Sequence, residues 1–137
     1  MKKAIAIVLA VLALALVGCG SKEPELVGTT WTWQEFQDTA DEANIKVSDP
    51  KDYTLTLQED GTAAIKADCN QVIWSYEQES SSLTFNTMGP STLAACGEDS
   101  LDQVYLERLG NTATFVLDEG KLHLNLMYDS GNMVFAP

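Results

Sequence analysis

Apolar and polar residues alternate with a period of two over much of the chain after residue 52. In Tyr53-Thr54-Leu55-Thr56-Leu57, the tyrosine and both leucines fall on one face and the two threonines on the other. This alternation predicts a half-buried strand. Glu59-Asp60-Gly61 follows as a turn, because glycine adopts the positive φ that tight hairpins require.

Further alternating runs predict a series of hairpins. The next run places four small or apolar residues on one side: Ala63, Ile65, Ala67 and Cys69. Two more runs begin at Val72 and at Leu83. Near the C terminus, residues 112–117 and 121–127 flank an Asp-Glu-Gly turn, and residues 126–128 and 132–135 flank an Asp-Ser-Gly turn.

One helix is predicted after Cys96. Ser100 and Gln103 have the spacing of a capping box, and Gly110 is placed to end the helix. Between them, four apolar residues recur at helical spacing: Leu101, Val104, Tyr105 and Leu109. Three acidic residues lie near the predicted N-terminus of the helix: Glu98, Asp99 and Asp102. The helix dipole stabilises negative charge there, so these residues are expected to stabilise the helix and not to bind a metal.

The segment before Tyr53 gives a weaker pattern. Trp31 and Trp33 share one face of a first strand that begins near Gly28, whereas Gln34 to Asn44 fits either a short helix or a long loop. Strands and helix do not alternate as βαβ, so we expect an α+β fold: an antiparallel, barrel-like β-sheet built from hairpins with one packed α-helix. Six aromatic residues are expected to fill the barrel rather than line a ligand groove: Trp31, Trp33, Tyr53, Trp74, Tyr76 and Phe85.

Residues 1–18 have the parts of a lipoprotein signal peptide. Lys2 and Lys3 form a charged start, and Ala4 to Val17 is an apolar run of 14 residues, shorter than the roughly 20 that span a bilayer. Leu16-Val17-Gly18-Cys19 resembles the bacterial lipobox, in which the cysteine receives a diacylglycerol and becomes the mature N terminus. We expect lipid attachment (diacylglycerol, palmitate) at Cys19; a transmembrane anchor and an ordinary cleaved signal are the alternatives.

Residues 19–25 are predicted to be a lipid-anchored tether and residues 26–137 a single domain. Without Lys2 and Lys3, six basic side chains remain against 20 acidic ones. This balance argues against nucleic acid and against a polybasic contact with anionic lipids, so attachment depends on the acyl chains. In diderm bacteria, an aspartate directly after the lipid cysteine tends to retain lipoproteins in the inner membrane. Position 20 is a glycine, which favours the periplasmic side of the outer membrane if the organism is diderm.

Cys69 and Cys96 remain as a pair in an exported, disulfide-permissive compartment. A structural disulfide is favoured, and it would contribute roughly 3–4 kcal/mol in the chain-entropy model. Two buried thiols are the alternative. A redox-active pair is disfavoured, because no Cys-x-x-Cys spacing is present to lower a thiol pKa.

Several segments occur in the order that a known family shows. They are Leu26 to Trp33 (with Gly28 and Trp31), Tyr53 to Leu57 with Asp60-Gly61, Asp68-Cys69-Asn70, Thr92 to Cys96, and the helix to Leu109. Together they resemble the META domain family, which includes HslJ-like bacterial lipoproteins. The family usually has glycine at position 68 and often Arg-Met at positions 93 and 94, and the spacer Glu35 to Asp52 is longer and more acidic than expected.

The remaining chemically active residues do not assemble into a known motif. His123 is the single histidine, so a zinc site is not expected, and no Gly-x-Ser-x-Gly elbow supplies a serine nucleophile. Glu77 with Glu79 and Asp118 with Glu119 fall at turns, where a glycosidase cleft is not indicated. Asn70 is expected to cap a backbone group in a turn.

These features favour a non-enzymatic, lipid-anchored envelope protein with a binding domain. We expect a monomer without cofactor or metal that binds an envelope protein or a small ligand, in envelope maintenance or stress response. The acidic insert Glu35 to Asp52 is the best candidate surface, because binding residues concentrate on loops. The alternatives are a hydrolase or isomerase whose site assembles only in three dimensions, and a purely structural envelope component.

Overall fold

The computed structural model describes residues 24–137. The predicted signal peptide, Cys19 and all of the tether except residues 24 and 25 lie outside the described residues. Within the described range, no helix is long and apolar enough to cross a membrane.

The described residues contain nine strands and one α-helix. The strands are β1 (Thr30–Gln37), β2 (Ile45–Lys46), β3 (Tyr53–Leu57), β4 (Thr62–Ala67), β5 (Asn70–Glu79), β6 (Ser82–Asn86), β7 (Thr112–Asp118), β8 (Lys121–Leu126) and β9 (Asn132–Ala136). The helix α1 spans Asp102–Gly110, and short 3₁₀ turns lie at Pro50–Asp52 and Met127–Asp129.

The sheet closes on itself as an eight-stranded antiparallel barrel. Each strand from β3 to β8 pairs with the next strand in the sequence, and β1 pairs with β3. The barrel closes because β9 pairs with the other edge of β1, from Thr32–Ala136 to Gln37–Asn132. The two-residue β2 extends the wall by pairing with Glu35 and Phe36. The predicted barrel-like sheet with one packed helix is confirmed.

The barrel interior is filled by the residues that the alternation places inward. Trp31, Trp33, Tyr53 and Trp74 are all buried, as predicted, and Tyr76 and Phe85 are half-buried against the same core. Cys69 is an exception to the predicted alternation, because β4 ends at Ala67 and Cys69 lies exposed in the following turn.

The helix covers one mouth of the barrel. The Tyr105 ring is fully buried, stacks on Trp33 at 5.1 Å between ring centroids and meets Tyr53 edge-on at 5.6 Å. Near the C-terminal end of α1, the Arg108 guanidinium lies 3.5 Å from the centre of the Phe36 ring. Aromatic and cation–π packing thus joins the helix to the barrel wall.

The predicted capping box is wrong. The helix begins at Asp102, and the side chain of its N-cap residue, Leu101, makes no capping hydrogen bond. Instead, the Ser100 hydroxyl accepts the Asp102 N–H at 3.2 Å, and the Tyr53 hydroxyl accepts the Leu101 N–H at 2.9 Å. A barrel residue therefore satisfies a free donor at the helix start, as orphan N–H groups require. The predicted end at Gly110 is confirmed.

The insert 35–52 is neither a helix nor a continuous loop. Residues 35–37 extend β1 and pair with β9, and Phe36 is 1% exposed. Residues 38–44 form the loop, β2 follows, and Val47 returns to the core. Residues 38–44 lie outside the strands that close the barrel.

The barrel has two different ends. At the helix end, β1 and β8 finish, β5 and β9 begin, and α1 covers the opening. At the turn end lie the β3–β4, β5–β6 and β7–β8 turns, at residues 58–61, 80–81 and 119–120. The chain enters the barrel at the turn end, since Val27 bridges to Leu57 and the Gly28 N–H bonds the Leu57 carbonyl at 2.9 Å.

Candidate binding groove

An open groove lies at the helix end, between the loop 38–44 and the β8–β9 connection 127–131. Its volume is about 1010 Å³. The end of β1, the strand β2, the end of β8 and the start of β9 also contribute to its lining. Phe36, Ile45 and Leu126 supply apolar surface, whereas Asn125 and Asn132 supply amides.

The loop 38–44 is held in place by its own side chains. The Asp38 carboxylate accepts the Ala43 N–H at 3.0 Å, and the Asn44 side chain accepts the Asp38 N–H at 2.7 Å. Asn44 also donates to the Asp41 carboxylate at 3.3 Å. These local side-chain to backbone bonds are typical of Asx turns, and they shape one rim of the groove.

The opposite rim carries two consecutive residues with left-handed backbone. Tyr128 has φ 61° and ψ 27°, and Asp129 has φ 52°. Such positions cost about 1–3 kcal/mol each and persist only where neighbours enforce them. Ser130 helps to do so, because its hydroxyl donates to the Met127 carbonyl at 2.9 Å. The Tyr128 ring is left 97% exposed.

The two rims are joined directly. The Thr39 hydroxyl donates to the Asp129 carbonyl, and the Asn132 amide donates to the Gln37 side chain at 3.4 Å. The groove therefore lies between two connected loops on a rigid sheet, an arrangement that suits ligand binding.

The groove carries net negative charge. Four carboxylates line it and one ammonium group faces them: Glu35, Asp38, Asp41 and Asp129 against Lys46. A groove lined by one sign of charge raises the local concentration of ligands with the opposite sign. The lining therefore favours a ligand with cationic groups.

A second cluster at the helix end centres on Asn70 and the disulfide. Cys69 and Cys96 are joined, which confirms the predicted disulfide. The Asn70 side chain accepts the Ala94 N–H at 2.8 Å and donates to the Ala94 carbonyl at 3.0 Å. The Thr92 hydroxyl also donates to Asn70, at 3.0 Å. These contacts fasten the segment before the helix to the start of β5. Asn70 therefore bonds the backbone of a distant segment, and not a backbone group in a turn as expected.

The other predicted family residues lie away from the groove. Trp31 is fully buried, and its indole N–H donates to the Leu26 carbonyl at 3.1 Å. Gly28 has φ +85°, which glycine adopts without strain where the chain enters the barrel. Both residues position the N-terminal segment at the turn end.

The polar residues considered for catalysis are not brought together. His123 is half-buried, and its Nδ1 lies 3.2 Å from the Asn132 amide. Glu77 and Glu79 lie near the β5–β6 turn, and Asp118 and Glu119 at the β7–β8 turn. Over residues 24–137, no group of three or more histidine, cysteine or acidic side chains is arranged to hold a metal ion.

The sequence does not identify Asp129 and Asn132 as lining residues of the groove, or Tyr128 as a residue of its rim. The sequence Asp129-Ser130-Gly131 predicts an ordinary hairpin turn. The extra residues 127–129 form a 3₁₀ turn instead, and that turn carries the left-handed pair. An aromatic residue directly before an Asp-Ser-Gly turn was the one available signal.

Two solved structures have folds similar to that of this chain. An NMR structure of a protein from Burkholderia xenovorans has a TM-score of 0.63 and 24% identity, covering 81% of this chain and 82% of that one. The crystal structure of a DUF4847 family protein from Bacteroides vulgatus has a TM-score of 0.59 and 14% identity, covering 81% and 93%. At these identities the likeness concerns the fold.

The family follows from the sequence match. The model of the META domain matches residues 24–137, which is most of the chain and includes every strand and the helix. This chain belongs to the META domain family, as the ordered motifs indicated. No curated protein matches the chain significantly.

Proposed function

We propose that the protein is a lipid-anchored envelope protein whose META domain binds a partner or ligand carrying cationic groups. Residues 1–18 would be removed as a signal peptide, Cys19 would carry the lipid, and residues 19–25 would connect it to the domain 26–137. The outer membrane, on its periplasmic side, is the proposed location if the organism is diderm. The lipobox supports the anchor, and the groove supports the binding role.

The observation that carries the binding role is the groove between the connected rims. Its rims are preorganised by the Asp38 and Asn44 hydrogen bonds and by the Thr39–Asp129 contact. Preorganisation lowers the entropy that binding would otherwise cost. The exposed Tyr128 ring at the rim offers a flat surface for apolar or cation–π contact.

The binding test uses a photo-crosslinking amino acid at position 128 of the full protein in intact cells. Tyr128 is exposed and aromatic, so the replacement leaves the core unchanged. The same amino acid at position 77, near the turn end, is the control. We expect adducts at position 128 that are absent at position 77, and identical adduct patterns at both positions would refute the groove as the binding site.

The charge of the ligand is tested with two matched double variants. Glu35→Gln with Asp129→Asn removes two groove carboxylates, and asparagine tolerates the left-handed backbone at position 129. Asp118→Asn with Glu119→Gln removes the same charge at the turn end. Adduct yield at position 128 should fall only for the groove variant; equal yields would contradict the cationic ligand.

Lipid attachment is tested separately. Intact-mass analysis of the membrane-extracted protein should show a mature chain that begins at a lipid-modified Cys19. The variant Cys19→Ser should be released from membranes. An unmodified cysteine in the membrane-bound protein would overturn the anchor and leave the groove proposal standing.

A further inference from the structure

We infer that the turn end of the barrel faces the lipid headgroups, so that the groove at the helix end is presented away from the bilayer. The headgroup contact is made by the tip of the β7–β8 hairpin, residues 116–119. This inference rests on the lipid anchor proposed above.

The first argument is where the chain enters the barrel. Leu26 is nearly buried, its carbonyl accepts the Trp31 indole N–H, and the Gly28 N–H bonds the Leu57 carbonyl. Pro24 lies against the β7–β8 turn, where it lines a small cavity of about 160 Å³ with residues 117–120. The N-terminal segment is therefore fixed at the turn end.

The second argument is the reach of the chain. Five residue steps separate Cys19 from Pro24, which limits their separation to about 18 Å even in a fully extended chain. The strand β1 has eight residues, and its seven residue steps span about 23 Å at roughly 3.3 Å per step. The fully extended tether is shorter than this strand, which favours a lipid position near the turn end and keeps that end close to the bilayer.

The third argument is the exposed surface of the β7–β8 tip. Strand β7 pairs with β6 through Ser82 and Thr114, and the Phe115 N–H bonds the Ser81 carbonyl. Beyond this point β7 projects past the β5–β6 turn. Val116 and Leu117, which point to opposite faces of the strand, are both exposed, at 49% and 40%. A projecting strand end with apolar residues on both faces fits the mixed polar and apolar headgroup layer.

The charges at the tip restrict the type of lipid. Asp118 ends β7 and Glu119 lies in the turn, and Glu59 and Asp60 lie in the β3–β4 turn at the same end. These carboxylates oppose deep insertion and are repelled by anionic headgroups. The partner is thus the headgroup layer of a predominantly zwitterionic bilayer, contacted at shallow depth.

The orientation is tested with single fluorophores on the full lipidated protein reconstituted into vesicles. Cys69 and Cys96 are disulfide-bonded and the anchor occupies Cys19, so Leu117→Cys and Met88→Cys each provide one reactive thiol. Met88 is 91% exposed and lies at the helix end, just after β6. Vesicles of phosphatidylcholine contain lipids with a nitroxide on the headgroup.

We expect several-fold stronger nitroxide quenching of the label at position 117 than at position 88. Equal quenching, or stronger quenching at position 88, overturns the inference. Co-flotation with vesicles is measured first, with Cys19→Ser as the non-floating control. Flotation without selective quenching refutes the orientation alone, whereas loss of flotation in the lipidated protein refutes the anchor together with the orientation.

The headgroup contact has its own test. Replacing half of the phosphatidylcholine by an anionic lipid at low salt should weaken quenching at position 117, and added salt should restore it, because the repulsion is screened. The double variant Asp118→Asn with Glu119→Gln should reduce this dependence on lipid charge. If quenching at position 117 is independent of lipid charge both with the native carboxylates and in the double variant, the headgroup contact is contradicted.

Discussion

The side chain of Asn70 satisfies both backbone hydrogen-bonding groups of Ala94, accepting from its N–H at 2.8 Å and donating to its carbonyl at 3.0 Å. One buried amide thus replaces the neighbouring strand that a sheet would otherwise supply to this segment. The Asn70 amide also lies 3.2 Å from Cys96 Sγ. The segment that leads to the helix is therefore attached to β5 by a disulfide and by one asparagine.

We predict that Asn70→Ala lowers the free energy of unfolding by about 2–3 kcal/mol, because it removes the buried Asn70 amide together with its hydrogen bonds to both backbone groups of Ala94. Urea denaturation measures this. Asn125→Ala is the control, since Asn125 makes a single hydrogen bond, to the Thr114 hydroxyl at 3.2 Å, and its loss should cost about 1 kcal/mol or less. Equal losses for both variants would contradict the role assigned to Asn70.

Removal of the disulfide is the second prediction. Cys69 and Cys96 are 27 positions apart, and the double variant Cys69→Ser, Cys96→Ser should lose about 2–4 kcal/mol. Asn70 and the disulfide attach the same segment to β5, so the loss of unfolding free energy caused by Asn70→Ala should differ between proteins with and without the disulfide. Thermal unfolding of the four proteins in this cycle provides the measurement. Strict additivity would show that the asparagine and the disulfide act independently.

The sequence predicted the barrel better than the groove, and the reason is physical. Alternation in segments such as Tyr53–Leu57 reports burial directly, so the β-structure and the core tryptophans follow from it, whereas the helix end follows from the glycine at position 110. The groove depends on the distance between residues 38–44 and 127–131, and no local pattern records that distance. The continuation of β1 into the insert does not follow from a period of two, because the register shifts between Trp33 and Glu35 and the next buried position is Phe36. The helix start does not follow from the local pattern, because the hydroxyl that accepts the Leu101 N–H belongs to Tyr53, 48 residues earlier.

The third prediction concerns the buried hydroxyl of Tyr105. Among the described residues, this hydroxyl has no hydrogen-bond partner. Because a buried hydroxyl without a partner is unfavourable, Tyr105→Phe should raise the free energy of unfolding by about 1 kcal/mol. Tyr53→Phe is the matched control: its hydroxyl accepts the Leu101 N–H, so its removal should destabilise the protein by about 1 kcal/mol.

Tyr105 also predicts a response to alkaline pH. Burial raises the pKa of Tyr105 well above its usual value of 10.0. Below the pKa of the unfolded chain, Tyr105 is protonated in both states, and the stability does not depend on its ionisation. Stability is lost as the pH rises from there toward the folded pKa, since the tyrosine of the unfolded chain ionises first. Stability of the native protein should therefore decline above pH 10 more steeply than that of Tyr105→Phe. Parallel curves would contradict an unionised buried phenol.

The fourth prediction concerns the ion pair between Lys66 and Asp52, whose Nζ and Oδ1 atoms are 2.7 Å apart. The hydrogen bond from Lys66, aided by its charge, lowers the pKa of Asp52 below its usual value of 3.8. A carboxyl with a lowered pKa contributes stability above the pKa of the unfolded chain, and this contribution is lost as the pH falls through the folded value. The pair is partly exposed, so its effect is small.

Lys66→Met should therefore be slightly less stable than the native protein at pH 7, and the difference should shrink below about pH 3. Chemical denaturation at both pH values tests this, with Lys46→Met as a control that removes the same charge outside the pair. A difference that stays constant across the range would show that packing of the lysine stem, and not the ion pair, is responsible.

The fifth prediction concerns Gly131, where the groove meets the core. Its φ is +145°, and a Cβ atom there would lie 2.3 Å from Cζ of Phe36 and 2.6 Å from the Gln37 carbonyl oxygen. Gly131→Ala should lower the free energy of unfolding by about 2–4 kcal/mol through overpacking and backbone strain. Gly120→Ala isolates the strain, because Gly120 has φ +75° in open space, and a loss of about 1 kcal/mol is expected there.

The Gly131 variant should also reduce photo-adducts at position 128, since relief of the clash moves β1 relative to the β8–β9 connection. If both alanine variants lose the same stability and retain the same adducts, Gly131 does not set the width of the groove.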